Sequence, residues 1–130
     1  MGCSSTKTNM NYNVLNCHIL EIEEYQYAFR FKALNKENDT ILIISLKESY
    51  YDKYGYKKLI LNNLQEIKLT EKYDFHLTQK KPTVSTMEQL GAFIIIEKDT
   101  LWKSFTYKDI PPSFMSHNTV GKYYSNKATN

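Results

Sequence analysis

Tyr25-Gln26-Tyr27-Ala28-Phe29-Arg30-Phe31-Lys32-Ala33 is the stretch on which the fold turns: Tyr25, Tyr27, Phe29, Phe31 and Ala33 alternate with Gln26, Ala28, Arg30 and Lys32. A two-residue period sends alternate side chains to opposite sides of an extended chain, so the stretch predicts a strand with one covered face. Upstream, Val14, Leu15, Ile19, Leu20 and Ile22 form an apolar, partly β-branched run, and a first strand is expected over Asn13 to Glu24. Downstream, Asn35-Lys36-Glu37-Asn38-Asp39 is a cluster of turn formers before the apolar run Thr40 to Leu46. Those two strands read as a hairpin, the second buried on both faces.

The remainder is read from the same signals. Lys47 to Lys58 is a polar, Tyr-rich connection containing Gly55. Leu59 to Leu69 fits either a short helix or a strand broken at Asn62-Asn63, because its apolar spacing suits both. Tyr73, Phe75 and Leu77 alternate with Asp74, His76 and Thr78, which predicts a strand over Lys72 to Gln79, stopped by Pro82. Thr83 to Gly91 reads as a loop or one helical turn. Ala92 to Ile96 and Leu101 to Phe105, around Glu97-Lys98-Asp99-Thr100, read as a second hairpin. Trp102 in that run is expected at the core or the barrel rim. Pro111-Pro112 interrupts regular structure, and the chain beyond Phe114 is expected to add little to the core, with Gly121 to Asn130 polar enough to fray.

These elements define a mainly β chain: a small OB-like barrel or sandwich of five to seven strands with at most one or two short helices. The expected organisation is a lipidation site and spacer over 1–13, a β domain over 14–114 and a tail over 115–130. The 130 residues suffice for one core, and 42% apolar with 14% aromatic residues is well above a disordered composition. Lys and Arg number 17 against 14 Asp and Glu, so the net charge of +3 is thin, where a nucleic-acid binder would carry a denser basic patch; no nucleic acid is expected as a partner. No apolar run is long enough to span a bilayer.

The first residues, Met1-Gly2-Cys3-Ser4-Ser5-Thr6, match two lipidation patterns. In one, a small residue precedes a cysteine that becomes the lipidated first residue of a bacterial lipoprotein; a signal helix would then precede Gly2 in the gene. In the other, Gly2 is myristoylated and Cys3 palmitoylated, as in eukaryotic peripheral proteins, two chains holding where one is marginal. Lys7 to Asn13 is polar and aperiodic, suited to a spacer.

Lys58-Leu59-Ile60-Leu61, followed by Glu71-Lys72-Tyr73-Asp74-Phe75-His76-Leu77, is similar to the segment entering the fourth strand of OB-like domains in small lipoproteins of Bacteroides-like bacteria. The resemblance covers Val14 to Ser104, rests on strand rhythm and carries no functional residue across. It implies an OB-like barrel, a lipid on Cys3 and placement in the bacterial envelope, facing the periplasm or the cell surface.

Chemistry-bearing patterns are sparse. The glycines, Gly2, Gly55, Gly91 and Gly121, build no phosphate loop, and no nucleophile elbow or metal-ligand spacing is present. His18, His76 and His117 are far apart, and Cys17 and His18 point to opposite faces of a strand, so no metal and no cofactor are expected. Glu21, Glu23 and Glu24 read as a solvated face, and Cys17 as a buried thiol. Tyr50, Tyr51, Lys53, Tyr54, Tyr56 and Lys57 form the one candidate binding loop, with rings and polar heads for a glycan or protein partner. The plainer alternative is that two rings cap the barrel. Functionally the chain reads as a non-enzymatic, lipid-anchored binding module. An immunity-type inhibitor of a toxin and a eukaryotic dual-acylated membrane protein are the alternatives.

Overall fold

The computed structural model describes residues 13–54, 64–80, 83–84, 92–96, 99–104 and 111–125. The strands are β1 (Asn13–Glu24), β2 (Ala28–Leu34), β3 (Thr40–Leu46), β4 (Gln65–Glu66), β5 (Lys72–Gln79), β6 (Thr83–Val84), β7 (Ala92–Ile96), β8 (Asp99–Ser104), β9 (Ser113–Ser116), β10 (Thr119–Val120) and β11 (Tyr123–Tyr124), with one helix, α1 (Glu48–Tyr54). The order β9-β3-β2-β1-β5 closes into a barrel, because β9 pairs antiparallel with β5 as well as parallel with β3. A three-strand meander, a helix before the fourth barrel strand and a fifth strand running parallel to the third make this an OB-like barrel. Two small sheets, β10-β11-β4 and β6-β7-β8, accompany it.

β1 serves two neighbours. Asn13 to His18 pair with β5, and His18 to Glu24 pair with β2. Leu15, Cys17 and Ile19 face the interior at even spacing, but Ile22 is out of phase with them. The register shift between Ile19 and Glu21 restores Ile22 to the core and leaves Leu20 at 38% exposure. It also sets Glu21 on the outer face, 3.2 Å from the Arg30 guanidinium and 3.7 Å from the Lys32 amine.

Inside, Phe31, Phe75, Ile19, Ile41, Ile43, Ile67, Leu77 and Cys17 are fully buried. Their rings form a continuous path: Phe29 to Phe31 at 6.4 Å, Phe31 to Phe75 at 6.4 Å, Phe75 to Tyr124 at 6.0 Å and Tyr124 to Tyr73 at 5.0 Å. Burial pushes the Cys17 thiol up to about 11, with Asp74 adding to the effect. Cys17 is therefore expected to resist iodoacetamide at neutral pH in the native chain and to react in denaturant, which mass spectrometry resolves.

Several expectations need correction. The strand expected from Tyr25 begins at Ala28; Tyr25 to Tyr27 form the turn, closed by Tyr25 N–H donating to Ala28 O at 2.8 Å. Nor is only one face covered. Ala28 and Arg30, on the side opposite Phe31, are buried too, Ala28 with Ile44 beneath Tyr25, Leu46, Tyr50 and Met115. The helix Glu48–Tyr54 replaces the expected irregular connection; Glu48 in its first turn and Lys53 in its last suit the helix dipole. Within 59–69 the short strand Gln65–Glu66 is present, and 59–63 lie outside the described residues. Thr83–Val84 pairs with β7, while 85–91 and the side chain of Trp102 are likewise outside them.

The largest correction concerns the chain beyond Phe114. Asn118, Thr119 and Ser125 are fully buried, and Tyr124 belongs to the core. The segment is polar because it satisfies backbone groups at the end of the barrel. The Asn118 side chain accepts from His76 N–H at 2.9 Å and donates to Asp74 O at 2.8 Å and Ser125 O at 3.0 Å. Thr119 Oγ1 lies 2.7 Å from both Ser45 Oγ and Ser116 Oγ. A hydroxyl has one proton to give, so one serine donates in that chain.

Candidate functional site: the tyrosine-lined end of the barrel

The β1–β2 turn and the start of α1 meet at one end of the barrel. Lys47 N–H donates to Tyr27 O at 2.8 Å, and Tyr50 N–H to Lys47 O at 2.9 Å, so turn and helix are stitched through one residue. Four rings converge there. Tyr27 meets Tyr50 edge-on at 6.3 Å, Tyr50 meets Tyr51 at 5.9 Å, and Tyr25 packs with Tyr50 over Ala28 and Ile44. Burial raises the Tyr51 hydroxyl above its ordinary range, so it stays protonated and able to donate.

Beside the rings, a depression of about 380 Å³ is lined by Phe29, Lys47, Glu48, Gly121, Lys122 and Tyr123, among others. Lys47 Nζ stands 5.1 Å over the Phe29 ring and 2.6 Å from Glu24 Oε2. Lys122 Nζ lies 2.9 Å from Glu66 Oε2. Each lysine, through its hydrogen bond, holds its partner carboxyl below the usual range, and Glu66 raises Lys122 in return. Exposed pairs of this kind add little stability but fix charge positions around the rings. Gly121, at φ 60°, brings the backbone over Phe29, and Tyr123 stands 48% exposed at the margin.

Of the residues singled out in the sequence, Tyr50 and Tyr51 enter this cluster and Lys53 is exposed on α1. Tyr54 ends the helix, while its side chain, together with Tyr56, Lys57, Gly2 and Cys3, lies outside the described residues. Tyr25, Tyr27, Lys47 and Tyr123 were not singled out. The turn at 25–27 has neither Gly nor Pro to betray it, and Tyr123 sits in a segment that reads as frayed.

His76 and His117 do come together: His117 N–H donates to His76 O at 2.7 Å, and the His117 ring nitrogen is 2.7 Å from Thr78 Oγ1. Burial, then the neighbouring His76, lowers His117 below its ordinary value and keeps it neutral at pH 7. The contact ties β5 to the turn after β9. Among the described residues no three His, Cys, Asp or Glu side chains converge as metal ligands.

No family model matches the chain, and neither a curated protein nor a solved structure does.

Proposed function

We propose that the chain is a lipid-anchored, non-enzymatic binding module of a bacterial envelope that engages a protein or glycan partner through the tyrosine-lined end of its barrel. The observation that carries this reading is the convergence of Tyr25, Tyr27, Tyr50 and Tyr51 from two separate elements on one end, beside the charged depression at Phe29. Tyrosine supplies large contact area at low conformational cost and a polar tip for orientation, which is why it is enriched at recognition surfaces. OB-like barrels present ligands to the loop between their first two strands, and Tyr25 to Tyr27 are that loop here. The lipid on Cys3 and the polar spacer that follows would hold this surface off a membrane.

The test uses the immobilised chain and an envelope extract of the source cells. Tyr27→Ala with Tyr51→Ala is expected to lose at least about tenfold in partner capture, the scale of one or two aromatic anchors. Its melting temperature should stay close to that of the parent. Capture that persists, or a melting temperature that falls in step with capture, overturns the reading, the latter because it makes the rings structural.

A further inference from the structure

A second concavity, of about 290 Å³, opens on another part of the barrel, lined by Asn16, His18, Asn35, Lys36, Asn38 and Lys72 together with one leucine. Register places it. His18 stands opposite Leu34 of β2 on one side and Lys72 of β5 on the other, at the point where β1 passes from one neighbour to the next. The turn after β2 closes the mouth: Asn35 Oδ1 accepts the N–H groups of Glu37 and Asp39 at 3.0 and 2.9 Å, and Asn38 takes φ 65°.

The lining is all donor-rich. Among the described residues neither the Lys36 nor the Lys72 ammonium has an ion-pair partner, whereas Lys32, Lys47 and Lys122 each do. His18 Nε2 is buried with no hydrogen-bond partner. No carboxylate is among the described residues that line the pocket; Glu37 and Asp39 are exposed on the turn outside it, and the nearby Asp74 is held by the Asn16 amide at 3.0 Å. Both ammonium groups are exposed and hydrated, so an anion entering the hollow meets two charges for which no carboxylate among the described lining residues competes.

We infer that this pocket binds a tetrahedral oxyanion, phosphate or sulfate, free or as a terminal ester group. Four acceptor oxygens match donors arriving from β1, β5 and the β2–β3 turn better than the two of a carboxylate. The two lysines supply charge, and the asparagine amides supply direction. The site is separate from the tyrosine-lined end and stands whether or not that surface binds a partner.

Inorganic phosphate is titrated into the ¹⁵N-labelled chain at constant ionic strength, with acetate as the comparison ion. The expected result is a saturable shift confined to the amides around Asn16 to His18, Asn35 to Asn38 and Lys72, with weaker response to acetate. The Lys36→Ala, Lys72→Ala double variant, altered only at exposed side chains, is expected to bind about tenfold more weakly. Repeating the titration with glycerol phosphate separates a free ion from an ester, tighter binding of either supporting the site. Shifts that stay linear and spread over the surface, or saturable binding that the double variant leaves unchanged, overturn it.

Discussion

Asn118→Ala is expected to lower the stability of the chain by roughly 3 kcal/mol, and the melting temperature by on the order of 10 °C. The substitution removes one acceptor and two donors. His76 N–H loses its partner, and the carbonyls of Asp74 and Ser125 lose theirs, all within a closed end of the barrel. An orphaned buried polar group costs about 1–3 kcal/mol, and there is little room for water to compensate at a fully buried residue. Asn118→Asp discriminates the cause. It preserves shape and the acceptor toward His76, but turns a second oxygen on two carbonyl oxygens, so it should destabilise at least as much as alanine. Thermal melts of the three proteins decide it. An Asp variant as stable as the parent would show that the hydrogen bonds from Nδ2 contribute nothing.

Phe31→Ala should cost about 3–5 kcal/mol, a large part of the 5–15 kcal/mol that a domain of this size holds. Phe31 is fully buried, and its ring is the link between Phe29 on its own strand and Phe75 across the barrel. Surrounding strands are tied by hydrogen bonds on both sides and cannot collapse into the vacancy, so the cavity term is paid nearly in full. Tyr123→Ala, at 48% exposure, serves as the aromatic control and should move stability by no more than about 0.5 kcal/mol. Urea denaturation measures both.

Much of the barrel was legible because its strands are bounded by unambiguous signals. The turn formers Asn35 to Asp39 sit where the Asn35 side chain closes the β2–β3 hairpin, and Lys72 to Gln79 alternates as the half-buried strand it forms. Other features were hidden for physical reasons. The bulge at Leu20 changes the parity of β1, which hydrophobic patterning alone does not locate. The turn at Tyr25 to Tyr27 carries the same alternation as the strand it precedes, so rhythm ran through a boundary that hydrogen bonding marks. The segment after Phe114 reads as exposed because it is polar, yet several of its polar groups are buried. Asn118, Thr119 and Ser125 are polar and buried; Asn118 reaches backbone groups of β5 about forty residues away, and Thr119 reaches the Ser45 hydroxyl across the barrel.

The candidate site shows the same division. Tyr50 and Tyr51 stood out as part of a dense tyrosine run. Their companions Tyr25 and Tyr27 lie about two dozen residues earlier and join them only through the fold, by the hydrogen bond from Lys47 to Tyr27. Tyr25 and Tyr50 both pack against the outer apolar cluster of Ala28 and Ile44, and for Tyr50 that accords with the plainer reading of part of the run.

The proposed binding surface stands at a membrane only if Cys3 carries the lipid. The most direct measurement is the intact mass of the chain recovered from the membrane fraction of its source cells, beside that of a Cys3→Ser variant. The expected result is a chain that begins at Cys3 and carries acyl mass on it, with the variant unmodified and in the soluble fraction. A chain with an unmodified Cys3 thiol, or a Cys3→Ser variant that stays with the membrane, would contradict the anchor.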